Sequence, residues 1–151
     1  MDVDLPRKAG VLGRPIAHSR SPQLHLAAYR ALGLTGWTYE RIECDAEALP
    51  GLVGALGPEW VGLSVTMPGK FAALAVAAER TARAELVGAA NTLVRVPAGW
   101  RADCTDIDGA AAALDELAVP QGDALAGSAP TVILGAGGTA RPAVVALADR
   151  G

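Results

Sequence analysis

The sequence predicts an α/β fold: a three-layer domain on a mostly parallel sheet, followed by one further strand, turn and helix. Two patterns predict it. Short apolar runs such as Trp60 to Val65 and Thr131 to Leu134 alternate with segments whose apolar residues recur at helical spacing. Gly and Pro punctuate the joints, at Gly13-Arg14-Pro15, Gly33, Pro68 and Gly135 to Gly138. The 151 residues suffice for one ordinary domain, or for a small domain and the beginning of another. Hydrophobic residues make up 51%, but 32 of them are Ala and only 4% of the chain is aromatic, so the core must come from Leu, Val and closely packed Ala. Collagen-like, disordered and disulfide-stapled classes are excluded.

Taken in order, Val11-Leu12-Gly13 reads as a short strand. Ser21 to Leu32 reads as a helix with Ser21 as N-cap and Pro22 at its first position, ended by Gly33. Trp37 to Cys44 alternates like a strand, and Ala46 to Leu56 forms a second helix despite Pro50. Trp60 to Val65 is the next strand, and the Ala-rich segment Lys70 to Ala84 the next helix. Asn91–Val96 and Trp100–Cys104 flank Pro97-Ala98-Gly99 as a hairpin, and Asp106 to Leu117 is helical. Val119 to Pro130 reads as a linker, with a domain boundary between Thr105 and Pro130. Beyond it come a buried strand, Thr131 to Leu134, the turn Gly135-Ala136-Gly137-Gly138, and a helix from Thr139 to Arg150.

Charge and cysteine usage narrow the function. A net charge of -3 leaves no basic field for a phosphate backbone, so no nucleic-acid partner is expected. Cys44 and Cys104 fit no zinc or redox spacing and read as reduced thiols. Asp2, Asp4, Arg7 and Lys8 interrupt any apolar leader, and no run of apolar residues is long enough to span a bilayer. The expectation is a cytoplasmic protein with no membrane contact.

Several constellations carry chemistry. Gly135-x-Gly137-x-x-Ala140, between a strand and a helix, matches the dinucleotide fingerprint, making Gly135, Ala136, Gly137, Gly138, Thr139 and Ala140 candidate cofactor-binding residues; a plain βα turn is the alternative. The ribose-reading residue of such a site falls about 20 residues on, past Gly151, so the chain is expected to hold only the opening of a nucleotide site. Lys70 stands out because the chain has 11 Arg and only 2 Lys. It sits at a helix N-terminus, where the dipole disfavours a cation, a placement that suits proton transfer better than surface charge. Asp106, or Thr105, could cap the helix to Leu117, or Asp106 could pair with Lys70; the acidic run around it fails the calcium-loop spacing. Ser19 and Ser21 lie before a helix N-terminus, where a carboxylate would fit. Asn91-Thr92 could present an amide to hydroxyls or be a simple turn. His18 and His25 have no ligand spacing, so no metal is expected, and His25 reads as packing on its helix.

These segments resemble the shikimate dehydrogenase family, whose motifs recur here in order. They are Gly13 to Pro22, Ser64-Val65-Thr66-Met67-Pro68-Gly69-Lys70, Gly88-Ala89-Ala90-Asn91-Thr92, Thr105-Asp106-x-x-Gly109 and the turn from Val132 to Arg141. The resemblance implies reduction of 3-dehydroshikimate to shikimate with NADPH as cofactor, on the route through chorismate to the aromatic amino acids. It implies that Ser19 and Ser21 bind the substrate carboxylate, that Thr66, Lys70, Asn91 and Asp106 hold ring hydroxyls, and that Lys70 and Asp106 are the catalytic pair. It divides the chain into a substrate-binding domain at 1–105, a linking helix and loop at 106–130, and the first βα unit of a Rossmann-like NADP domain at 131–151. A chain of this extent is expected to bind substrate without turning it over. A quinate- or NAD-using relative, or a non-catalytic module for a hydroxylated cyclic acid, are the alternatives, and a homodimer is compatible with all of them. Leu26, Ser64 and Cys104 stand where the family usually has Asn, and the change at Cys104 is expected to loosen the loop of Asp106.

Overall fold

The computed structural model describes residues 6–117 and 131–150. Strand β1 (Arg7–Gly13) leads to helix α1 (Ser21–Ala31), β2 (Trp37–Glu43), α2 (Leu49–Ala55), β3 (Trp60–Val65), α3 (Lys70–Val76), β4 (Glu79–Arg80) and α4 (Ala82–Val87). Strands β5 (Thr92–Val96) and β6 (Gly99–Asp103) follow, then α5 (Asp106–Glu116) and α6 (Ala140–Ala148). The six strands form one sheet in the order β2-β1-β3-β5-β6-β4. β1 pairs in parallel with β2 and β3, and β4 with β6; the β3–β5 and β5–β6 pairs are antiparallel.

Alternation along β1 creates the three layers, because successive side chains leave opposite faces of a strand. Ala9 and Val11 pack with Ile16 and Tyr39 under Leu26 and Tyr29 of α1. Leu12 faces the other way and joins Leu49 and Val53 of α2, Ala73 of α3, and Leu63, Val65, Leu93 and Trp100 of the sheet. Helices therefore cover both faces, and the main core lies beneath α2 and α3.

Four readings of local structure are corrected or narrowed. The Ala-rich segment from Lys70 is two helices, not one. The Ala78 N–H donates to the Trp100 carbonyl at 2.9 Å and that of Thr81 to Ala102 at 3.0 Å, pulling Glu79 and Arg80 onto the edge of β6. The Thr81 hydroxyl then accepts from the Ala84 N–H and starts α4, which Gly88 ends at φ +70°. Secondly, Ser21 is not the N-cap of α1. Arg20 holds that position with no side-chain bond, and Ser21 is the first helical residue. Thirdly, of the two N-cap candidates for α5, Thr105 holds the position but directs its hydroxyl to Asn91 rather than its own helix, and Asp106 is the first helical residue. Fourthly, Thr131 to Leu134 is neither strand nor buried: Val132 is 74% and Leu134 94% exposed. Among the described residues no strand runs beside it, and an extended segment without a ladder partner has nothing to hold its backbone groups.

The hairpin forms as expected, with Gly99 at φ +130°. α6 is two residues shorter at its C-terminal end than expected and packs on α5, with Arg150 paired to Asp115. The linker reading at 119–130 lies outside the described residues. Among the described residues no helix is long and apolar enough to cross a membrane.

Leu93 is fully buried at the centre of the main core. Leu93→Ala should lower the unfolding free energy by about 2–5 kcal/mol, read from urea denaturation; a loss below about 1 kcal/mol would contradict this packing.

Candidate functional site

At the ends of β1 and β3 the chain leaves the sheet through its two glycine- and proline-containing turns and opens a cavity of about 470 Å³. Ser19, Ser21, Thr66, Lys70, Asn91 and Asp106 all line it. Five of these stand out in the sequence and Thr66 is added by the family resemblance, and folding brings all six together.

Lys70 opens α3 and is 9% exposed. Its Nζ donates to Asp106 Oδ2 at 2.5 Å and to Thr139 Oγ1 at 3.0 Å. Asp106 Oδ1 accepts from Asn91 Nδ2 at 2.8 Å, and Asn91 Oδ1 in turn accepts the Thr105 N–H at 2.9 Å. Backbone bonds fix the same corner: the Ala90 N–H donates to the Lys70 carbonyl at 2.9 Å and that of Val65 to Asn91 at 2.7 Å. Both charges and the amide thus have set orientations before any ligand arrives.

The serine side is built differently. Ser19 donates to Ser21 Oγ at 3.2 Å, and the Ser21 N–H donates back to Ser19 Oγ at 3.3 Å. From β2 the Arg41 guanidinium donates twice to the Ser19 carbonyl, at 2.8 and 2.5 Å. This clamp was not foreseen, because Arg41 lies 22 residues from its partner. His25 does sit on its helix, with Nδ1 donating to the Ser21 carbonyl at 2.9 Å, yet it also lines the cavity. Thr92, noted in the sequence only as the neighbour of Asn91, lines the cavity too, as do Ser64 and Thr105, to which the sequence assigned no site role.

Behind Asp106, Arg83 grips both oxygens of Asp103 at 2.6 Å and reaches Asp108 at 2.6 Å. These bonds hold the Asp103 carboxyl well below the usual carboxylate range against the opposing effect of burial, helped by the Thr81 hydroxyl and the Cys104 N–H. Cys104 is 1% exposed among Ala84, Val87 and Ala89, and burial pushes its thiol up. Its side chain is therefore a small apolar plug. The loop is pinned by Arg83–Asp103 and Asn91–Thr105 on either side of Cys104. Leu26 packs on the Tyr39 cluster.

A second cavity of about 380 Å³ lies between Met67, Pro68 and Phe71 and the glycine turn, and Gly135, Gly137, Gly138, Thr139 and Ala140 line it. Ala136 is exposed and lies outside that lining. Gly135 adopts φ +116°, and a side chain at Gly138 would come within 3.3 Å of Lys70 Cβ and Cδ. The turn fits a dinucleotide pyrophosphate: Gly135 and Gly137 face open space, and the first N–H groups of the following helix lack intrahelical partners. Arg141 fastens this end of α6 by stacking over Phe71 at 4.8 Å and donating to the Val87 carbonyl at 3.3 Å. Among the described residues no cluster of His, Cys, Asp and Glu could hold a metal ion.

Fold and cavity define an α/β domain with a charge- and hydroxyl-lined cleft at the ends of the central strands of a mixed sheet, beside a glycine turn. The chain belongs to the shikimate dehydrogenase family, since residues 11–93 match the family's substrate-binding domain. It is 45% identical to a shikimate dehydrogenase (NADP(+)) of Methylobacterium radiotolerans over 100% of this chain and 53% of that protein. Among solved structures, shikimate dehydrogenase of Mycobacterium tuberculosis superposes with a TM-score of 0.71 at 79% identity, over 73% of this chain and 42% of the other. The Thermus thermophilus enzyme in complex with shikimate superposes with a TM-score of 0.83 at 35% identity, over 96% and 53%. The chain spans about half the length of these relatives.

The lowered Asp103 gives a pH test. Its stabilisation is fully present above the unfolded Asp value of about 3.9 and is lost as pH falls toward the folded value. Urea midpoints should drop below about pH 4, and Asp103→Asn should lower the midpoint at pH 7 while making the acid fall shallower. An equally steep fall in the variant would show that Asp103 carries none of it.

Proposed function

We propose that this chain is the substrate-binding part of an NADP-dependent shikimate dehydrogenase, which reduces 3-dehydroshikimate to shikimate reversibly. The observation that carries the reading is the convergence of Ser19, Ser21, Thr66, Lys70, Asn91 and Asp106 on one cavity. An ion pair needed only for stability would not gather two serines, a threonine and an amide around it. Residues 1–105 form the substrate domain, 106–130 link it, and 131–151 open the cofactor domain. Buried unpaired Cys44 and Cys104 fit a reducing compartment, the cytoplasm.

The chemistry follows from the donor set. Ser19 and Ser21 donate to the substrate carboxylate beside the first turn of α1. Thr66 and Asn91 hold ring hydroxyls. Gly135, Gly137, Gly138, Thr139 and Ala140 would hold NADPH, which would supply the hydride for the carbonyl carbon. The carbonyl oxygen then needs one proton. Lys70 has three N–H donors, and two are directed to Asp106 and Thr139. The remaining one serves the ligand oxygen and transfers its proton as the carbinol forms. Asp106, ionised, keeps the ammonium in place, and in the reverse direction the neutral amine takes the proton back.

Calorimetric titration of this chain should show shikimate binding at one site, and Ser21→Ala should weaken it about 10-fold. Failure of the unaltered chain to bind shikimate rejects the proposal. In a protein of the relatives' full length carrying this sequence, Lys70→Ala should cut turnover by about 10²–10⁴ with a smaller effect on shikimate affinity. An unchanged rate rejects the role of Lys70.

A further inference from the structure

We infer that Tyr39 is a positioning residue of this cavity: its hydroxyl sets the Ser64 hydroxyl so that Ser64 turns its own proton toward the ligand. The inference rests on the cavity being the shikimate site. Tyr39 lies on β2 and Ser64 on β3, two strands separated by β1. The phenol can cross because its neighbour on β1 is Ala9, in register with it and too small to block the way. Tyr39 Oη donates to Ser64 Oγ at 2.7 Å.

The phenol has little freedom. Tyr39 is 6% exposed and packs with Ala9, Val11 and Ile16. One face of its ring stacks on His25, with centroids 4.0 Å apart and planes at 15°. His25 is itself tied to the Ser21 carbonyl, which can only accept, so the stack is anchored to the carboxylate side of the cavity. Burial pushes the phenol up from its ordinary value, against the smaller pulls of the Ser64 hydroxyl and, less, the Ser21 hydroxyl, so it remains a donor at neutral pH.

Ser64 is the point where this reaches the ligand, because it lines the cavity while Tyr39 does not. A serine hydroxyl has one proton and two lone pairs. One lone pair is engaged by Tyr39, and among the described residues no protein group accepts the Ser64 proton. Ser64 therefore offers a proton and favours a ligand oxygen that can accept, a carboxylate or a hydroxyl lone pair. Without the phenol's hydroxyl the serine is free to rotate and accept instead.

The test is a double-mutant cycle read by calorimetric titration of the chain with shikimate, using the unaltered protein, Tyr39→Phe, Ser64→Ala and the double variant. Phenylalanine keeps the stack on His25 and the packing, so thermal midpoints should stay close to the unaltered value. Tyr39→Phe should weaken shikimate binding about 3- to 10-fold, and the double variant should bind no more weakly than Ser64→Ala alone. Equal binding by Tyr39→Phe and the unaltered chain overturns the inference while leaving the proposed function standing. So does a Tyr39→Phe loss that persists in full in the Ser64→Ala background, since that loss would act through the fold. If the unaltered chain binds no shikimate, the proposed function falls, and this inference with it.

Discussion

An ammonium that is 9% exposed is unstable company for an apolar core unless a counter-charge meets it at short range, and at Lys70 that partner is Asp106. Much of the surrounding architecture keeps the two apart in sequence and together in space. Lys70 is delivered by the break after β3, Asp106 by the end of β6, and the antiparallel pairing of β3, β5 and β6 sets the separation of those ends. Asn91, at the start of β5, lies between them and bonds to Asp106 and Thr105. Removing Asp106 would leave the buried Lys70 ammonium without its counter-charge, a loss that reaches about 3–5 kcal/mol where burial is complete, so the pair proposed for the chemistry also bears on stability.

The serine side needs no such charge pairing. Its groups are hydroxyls and backbone N–H donors, which are stable in partial contact with water, and it is steadied from outside by exposed Arg41 and from beneath by His25 on Tyr39. The cavity is thus asymmetric: a corner of paired charges and a corner of neutral donors. A ligand with a carboxylate at one end and an oxidisable hydroxyl at the other matches that polarity along its length.

What the sequence disclosed follows the range of each cause. Lys70, Asn91 and the two serines were legible because Gly or Pro stands close to each and marks where a strand must end. The hairpin was legible from Pro97-Ala98-Gly99. The split of the Ala-rich segment was not, since Ala favours helix at every position and the break comes from hydrogen bonds to β6, more than 20 residues away. Tyr39, Arg41 and Arg83 escaped for the same reason. Each acts on a partner that only folding brings near, and each would pass in sequence for an ordinary strand or surface residue. The strand at Thr131 to Leu134 failed in the opposite sense: its apolar pattern was real, but a strand exists only beside another.

The scarcity of lysine acquires a physical meaning from this geometry. Of 13 basic residues, 11 are Arg, and those in the fold act as planar forks: Arg83 across two carboxylates, Arg95 over Trp100, Arg41 on one carbonyl. At position 70 a fork would not serve. From a single nitrogen Lys70 donates in two diverging directions, to Asp106 on α5 and to Thr139 at the glycine turn, and it also lines the cavity. A tetrahedral ammonium supplies three donors from one atom, whereas a guanidinium spreads its five over a plane and cannot be deprotonated at neutral pH. The contact with Thr139 means that Lys70, proposed here as the proton donor, also touches the turn proposed to hold the cofactor, so whatever fills that turn would act on the position of the ammonium.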